Sequence, residues 1–177
     1  MALIFSLSAE CGSTREAAEA LAKHFQDISW RLSSGLESHY STRVFPDLED
    51  NWCCMVCPRG ISESGISTPE DAYQMTELGL FLYQRLRSSP RFRYALVGIE
   101  VDEVRTYSEL ITADGQADVP FDGIVLAEEI WHHIGRPVGF SNFKENYLWK
   151  PYQGEVYSPL EASTQLREQF YELLETP

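Results

Sequence analysis

Residues 68–104 read TPEDAYQMTELGLFLYQRLRSSPRFRYALVGIEVDEV, and they join a capped helix to the most apolar strand-like run of the chain. Thr68 provides an N-cap hydroxyl, Pro69 suits the first helical position, and two acids follow at the positive end of the helix dipole. The next apolar residues recur at helical spacing: Ala72, Met75, Leu78, Leu82 and Leu86. Because Pro90 cannot continue a helix, the pattern predicts a long amphipathic helix that ends before it.

The strand-like run that follows, residues 93–101, carries apolar side chains at both alternating positions. Successive side chains of a strand point to opposite faces of the sheet, so this pattern is typical of an inner strand that is covered on both faces. We therefore expect residues 93–101 to lie at the centre of the sheet, with the long helix packed against it.

Alternation, helical spacing and turn residues predict the other elements. Ser13-Thr14-Arg15-Glu16 has the form of a capping box before a helix with an apolar stripe of Ala17, Ala20, Leu21, His24, Phe25 and Ile28. Strands are predicted at 3–9, around Trp30 and Leu32, and at 40–45, 52–57, 124–126 and 147–150, the last on an edge because Pro151 follows it. Helices are predicted at 128–134 and from Ser158 towards the end, while residues 102–121 fit a short helix or a continued strand.

These elements indicate one α+β domain spanning residues 1–177. The expected architecture is a mixed or antiparallel sheet of about five or six strands with three main helices packed on it. We find no internal repeat or low-complexity linker in the sequence that would divide the chain.

The formal net charge of −13 limits the partners of the protein. Nucleic-acid phosphates and anionic membranes would be repelled, whereas a basic protein would be attracted. The N-terminus lacks a basic region followed by a long apolar run, so we expect a cytoplasmic protein. No phosphate loop, dinucleotide glycine fingerprint or metalloprotease helix is present, and no cofactor is expected.

The acids are concentrated in residues 100–129, where nine acidic residues accompany only Arg105. One interpretation is a solvated face that keeps the protein soluble. The other is a docking face that steers a basic partner and anchors it with aromatic side chains. The candidate partner-binding residues are Glu100, Asp102, Glu103, Asp118, Asp122, Glu128, Glu129 and Trp131.

Two alternative sites are visible in the sequence. His132 and His133 each lie four residues after an acid, Glu128 or Glu129, which on a helix could orient a general base. The competing interpretation is that histidines in the last turn of a short helix complement its negative end.

Cys54 and Cys57 have the spacing of a redox pair or half of a zinc site. However, no helix follows them and no second cysteine pair exists, so buried, reduced thiols fit the sequence better.

The last third of the chain carries a family resemblance. DGIVLAEEIW at 122–131 and YLWKPYQGE at 147–155 resemble the ending of small acidic α+β immunity proteins from bacterial polymorphic toxin systems. This resemblance implies a cytoplasmic inhibitor that neutralises a cognate toxin by binding it, and therefore a binding protein rather than an enzyme.

Overall fold

The computed structural model describes residues 4–61, 65–101, 106–111 and 121–157. These residues form one eight-stranded sheet in which every neighbouring pair of strands is antiparallel. The strands are β1 (Phe5–Glu10), β2 (Ser29–Arg31), β3 (Glu37–Pro46), β4 (Trp52–Pro58), β5 (Tyr94–Ile99), β6 (Val125–Ala127), β7 (Ser141–Lys144) and β8 (Tyr147–Trp149), in the order β2-β3-β4-β1-β5-β6-β8-β7. The helices are α1 (Arg15–Phe25), α2 (Pro69–Leu86), α3 (Tyr107–Ile111) and α4 (Glu128–His133). Among the described helices, none combines the length and apolar character needed to cross a membrane.

The long helix and the central strand are confirmed. Thr68 Oγ1 accepts a hydrogen bond from the Asp71 amide (3.1 Å), and an Asp71 carboxylate oxygen accepts one from the Thr68 amide (2.9 Å), which completes a capping box. All five predicted apolar residues of α2 are fully buried. β5 pairs with β1 on one side and β6 on the other, so it is an inner strand as expected.

The capping box predicted at the start of α1 is wrong. The N-cap is Thr14, and its side chain makes no capping hydrogen bond. The buried stripe consists of Ala18, Leu21 and Phe25, whereas Ala20 is exposed. The helix is therefore rotated about its axis relative to the prediction. Residues 17, 20 and 21 and residues 18, 21 and 25 both satisfy helical spacing, and packing against the sheet decides which set is buried.

The expected number of strands is also wrong, because the sheet has eight. The strand β7 was not predicted, since it lies in a connection rich in glycine and asparagine. It forms a hairpin with β8 through a turn in which Asn146 has a positive φ of 63°. As a result β8 lies between β6 and β7 and not at an edge, even though Pro151 follows it. The Lys150 amide still donates a hydrogen bond to the Ile124 carbonyl oxygen (3.0 Å). Pro151, which has no amide proton, therefore interrupts the backbone hydrogen bonds only after β8 has ended.

The described helices differ from the expected three. α1, α2 and α4 were predicted. For residues 107–111 the sequence allowed a short helix or a continued strand, and the structure has a short helix, α3. The predicted helix from Ser158 onward lies outside the described residues.

α1 and α2 lie side by side on one face of the sheet. The Arg85 guanidinium donates to the His24 carbonyl oxygen at 2.9 and 3.2 Å, which joins the ends of the two helices. Beneath them β1 contributes Phe5, Leu7 and Ala9, each at most 1% exposed. The alternate residues of the same strand, Ser6, Ser8 and Glu10, belong to the opposite face.

Candidate functional site

A cavity of about 600 Å³ lies over the face of the sheet that α1 and α2 leave uncovered. Its walls combine apolar side chains with a few polar groups, as ligand pockets commonly do. The apolar walls are Phe45, Leu96, Val101, Leu110, Phe121 and Ile124, and the polar lining includes Glu10, Asp47, Tyr94 and Glu109.

The turn between β3 and β4 forms one side of the cavity mouth. Asp47 Oδ1 accepts hydrogen bonds from the amides of Glu49 (2.8 Å) and Asn51 (2.9 Å), which fixes the turn through one carboxylate oxygen. The other oxygen, Oδ2, is buried and has no hydrogen-bond partner among the described residues. Between these groups the side chain of Leu48 is 95% exposed.

α3 forms the opposite side of the mouth and contacts the same turn. The Ser108 amide donates to Glu49 Oε2 (3.2 Å), and the Ser108 hydroxyl donates to Glu49 Oε1. These hydrogen bonds lower the pKa of Glu49. Glu109 accepts from the Thr106 amide (2.9 Å) and lines the cavity. We call Asp47, Glu49, Asp50 and Glu109 the acidic rim.

A buried ion pair closes the inner end of the cavity. Arg93 Nε donates to Glu10 Oε2 (2.6 Å), and Arg93 Nη2 donates to Glu10 Oε1. The Gly12 amide also donates to Glu10 Oε1 (2.8 Å), and the guanidinium carbon lies 3.7 Å from the centre of the Tyr107 ring. Both carboxylate oxygens of Glu10 are therefore satisfied within the protein, which identifies this pair as structural.

Two titratable groups that line the cavity, Cys53 and Tyr94, have raised pKa values. The pKa of the Cys53 thiol is raised to about 12, first by burial and then by the charges of Asp47 and Glu10, while the charge of Arg93 acts in the opposite direction. The pKa of the Tyr94 hydroxyl is also raised, first by burial and then by Glu10, Cys53 and Asp47, and Arg93 again opposes the shift.

Among the described acids of residues 100–129, the structure places Glu100 and Glu128 far apart. The Ala127 amide donates to the Arg93 carbonyl (2.8 Å), so Glu128 begins beside the start of β5, while Glu100 follows its end. Six residues of a strand span roughly 20 Å. Glu100 Oε1 accepts from the Ile4 amide (2.7 Å), and Asp122 lies 3.2 Å from Lys150 Nζ. The candidates Asp102, Glu103 and Asp118 lie outside the described residues.

Glu128, Glu129 and His132 line a second cleft of about 800 Å³, and His133 is exposed outside it. Arg136 Nε donates to His132 Nδ1 (2.8 Å), so the proton of the neutral ring is on Nε2, which lies 3.5 Å from Glu128 Oε1. Both ring nitrogens are occupied by neighbouring side chains, and neither offers a lone pair to a substrate proton. The Glu128–His132 pair therefore supports the helix-stabilising interpretation over a general base.

Trp131 packs against His132 and donates its ring N–H to the Pro137 carbonyl oxygen (3.1 Å). It is half-buried beside α4, so only part of its ring is available to a partner.

Cys54 and Cys57 cannot act on one ion or form a redox pair in this strand. They are three residues apart on β4, and side chains at odd separations point to opposite faces of a sheet. Cys54 is fully buried, and burial raises the pKa of its thiol to about 12, which makes it unreactive. Within the described residues no group of three or more histidine, cysteine or acidic side chains could hold a metal ion.

The sequence analysis missed the turn at 46–51 as part of a site. Its signal was a leucine flanked by acids, PDLEDN, in a position where a turn needs no apolar residue. A second signal was the polar residues at alternate positions of β1. Such alternation usually indicates a solvent-exposed face, but the structure buries Ser6 and Glu10 of this face.

Comparison with protein-family models, with curated proteins and with solved structures finds no match to this chain.

Proposed function

We propose that this chain is an immunity-type binding protein that neutralises a basic protein toxin in the cytoplasm by binding it directly at the acidic rim. The observation that carries the proposal is the arrangement of the rim: Asp47 of the β3–β4 turn and Glu109 of α3 line a largely apolar cavity, and Glu49 joins the turn to α3. The net charge of −13 and the resemblance of the last third to acidic immunity proteins support the same function.

The rim supplies the two properties that such an interface uses. Charges on ordered elements speed the encounter with an oppositely charged protein. Glu49 accepts a hydrogen bond from the Ser108 amide of α3, and Glu109 accepts one from the Thr106 amide. An exposed apolar side chain next to a pocket provides the anchor that slows dissociation, and Leu48 occupies that position. Two basic side chains lie nearby: Arg43, over the Phe45 ring (5.4 Å), and Arg93, which is paired with Glu10.

The proposed docking site, the acidic rim, differs from the acids of residues 100–129 that the sequence analysis favoured. Asp122 is paired with Lys150, and Glu128 with His132. In the cleft that Glu128 and Glu129 line, the described residues also include Arg87, Arg91 and Lys144. A basic partner would meet like charges there, which oppose association.

The test begins with the genes that neighbour the gene of this chain, where a gene for a basic toxin domain would supply the partner. Co-expression of the chain should protect cells from that domain, and the purified pair should associate at a rate that falls as salt is added. Reversing Glu49, Asp50 and Glu109 to lysine should slow association by about tenfold or more at low ionic strength and weaken its salt dependence.

The matched control reverses three acids near α4: Glu128, Glu129 and Glu145. We expect this variant to associate at the wild-type rate. A loss confined to the control would place the interface at α4, and an unchanged rate in both variants would leave the acids with a solubilising role only. Failure of the chain to protect or bind would overturn the immunity proposal itself.

A further inference from the structure

We propose that the outer edge of β3, which no other strand covers beyond Tyr40, binds an extended segment of the basic partner as an added strand of the sheet. This inference rests on the proposed function, because it names how the partner is held beside the acidic rim.

The backbone groups of β3 point alternately to its two sides. The His39 carbonyl oxygen accepts a hydrogen bond from the Arg59 amide (3.0 Å), so the odd-numbered residues of the strand face β4. The Tyr40 amide donates in the other direction, to the Ile28 carbonyl oxygen (3.0 Å). The even-numbered residues therefore direct their N–H and C=O groups away from β4.

β2 covers only the first part of this outer side. Its three residues pair with residues 37–39, and the Ile28 carbonyl oxygen extends the pairing to Tyr40. Among the described residues, no strand and no hydrogen bond supplies a partner for the outward N–H and C=O groups of Thr42 and Val44. These groups repeat every two residues, roughly 7 Å, which matches the backbone of another extended chain.

The two edges of the sheet differ in how open they are to such a strand. β7, the outermost strand on the opposite side, has an irregular register between Asn142 and Lys144, and both a bulge and an edge lysine hinder pairing with another chain. β3 keeps an unbroken register with β4 over residues 40–46, so its outer edge is regular. Thr42 and Val44 are β-branched and half-buried, which suits a strand with a neighbour on each side.

The surroundings of this edge favour a basic segment. β3 runs directly into the turn that carries Asp47, Glu49 and Asp50, so a strand paired beside Val44 continues into the acidic rim. The charged side chain of residues 41–46 is Arg43, and it lies over the Phe45 ring (5.4 Å). A second copy of this chain carries the same net charge of −13, which opposes pairing between two copies. A segment rich in lysine gains backbone hydrogen bonds and electrostatic attraction together.

The test uses ¹⁵N-labelled protein and the peptide acetyl-KTVKVTK-amide, whose valines and threonines favour an extended backbone. In the free protein, hydrogen exchange followed by NMR should be fast at the outward amides of Thr42 and Val44 and slow at Arg43, which faces β4. Saturating peptide should slow exchange at Thr42 and Val44 by about tenfold or more and leave Arg43 unchanged.

The first control changes the backbone of the peptide. N-methyl groups on its two middle amides keep the charge and block one hydrogen-bond donor on each side of the extended chain, because adjacent amides point to opposite sides. This peptide should bind about tenfold or more weakly than the unmodified one.

The second control changes the backbone of the protein. Val44→Pro removes an outward N–H that the sheet does not use, and proline is tolerated on an edge strand, so the variant should fold but lose the peptide. Val44→Ala keeps that N–H and should bind within about threefold of wild type, since the backbone supplies most of the contact. Unchanged amide resonances of β1 and β4 verify the fold of both variants.

The outcomes separate this inference from the proposed function. Absence of saturable binding, or equal affinity of the methylated and unmodified peptides, would overturn strand addition. If a toxin domain bound wild type and Val44→Pro equally in a rim-dependent manner, the proposed function would stand without it. If the peptide paired with β3 but no toxin were neutralised, the edge site would stand and the immunity function would fall.

Discussion

The two faces of β1 are both buried, but different interactions hold them. On the side of α1 and α2, Phe5 and Leu7 have no exposed surface and contact only a continuous apolar core. On the other side, Glu10 is 2% exposed and is paired with Arg93 beneath a cavity. Apolar burial is nondirectional and follows from sequence pattern, whereas a buried charge needs particular partners. The polar face therefore depends on a specific pairing of side chains, whereas the apolar face does not.

Two enclosed carboxylates, one on each side of the sheet, extend this comparison. Glu10, on the cavity side, has a cationic partner in Arg93. Glu155, beside α2, accepts a hydrogen bond from the Tyr152 hydroxyl (2.8 Å), and its amide donates to Thr76 Oγ1 (2.8 Å). No cation pairs with Glu155 among the described residues, and burial raises the pKa of its carboxyl.

Truncation on the helix side should have the largest effect on stability. Leu7→Ala removes a fully buried side chain between the sheet and the helices, and should lower the free energy of unfolding by about 2–5 kcal/mol. Urea denaturation followed by circular dichroism measures this loss. The matched control Leu48→Ala, at a side chain 95% exposed, should change stability by less than about 0.5 kcal/mol. A similar loss in both variants would contradict the assignment of Leu48 to the partner surface.

Breaking the ion pair on the cavity side should cost less. Arg93→Met leaves the Glu10 carboxylate, 1% exposed, without its cation. We expect a loss of about 2 kcal/mol, below the roughly 3–5 typical of fully buried pairs, because the Arg93 side chain keeps 24% exposure to water. Adding Glu10→Gln to Arg93→Met should restore part of the loss. Strict additivity in this double-mutant cycle would show that the two charges are not coupled.

The smallest effect concerns pH and Glu155. Because its pKa is higher in the folded than in the unfolded state, the neutral carboxyl favours folding. Its contribution is complete below the unfolded pKa of about 4.3 and is lost as pH rises through the raised folded value. Glu155→Gln should therefore gain stability relative to wild type between acidic and neutral pH, as measured by urea denaturation across that range. Asp122→Asn, at an exposed carboxylate, is the control; parallel pH profiles for wild type and Glu155→Gln would refute the assignment.

Local signals predicted the strongest elements correctly. The cap at Thr68, the helical spacing up to Leu86 and the two-sided apolar pattern of 93–101 each depend on neighbours in sequence, and all three agree with the structure. Where local patterns allowed two solutions, the prediction failed: the face of α1 and the edge position of β8 were decided by contacts with distant residues.

The candidate site shows the same limit. Residues 47–50 and Glu109 are about sixty positions apart, and contacts across the fold, such as that of Glu49 with Ser108, bring them together. Conversely, Glu100 and Glu128 belong to one acidic segment, but β5 places them at opposite ends of a strand. Proximity in sequence therefore did not bring these two acids together in the fold.

The sequence by itself determined the α+β class, the acidity, and the helix and strand at its centre, because capping, spacing and net charge are properties of local or total composition. Only the tertiary structure decided which acids lie together, that the polar face of β1 is covered, and that Asp47 Oδ2 is buried. These features depend on pairing between segments far apart in the chain, and the energy of such pairing is a property of the packed molecule.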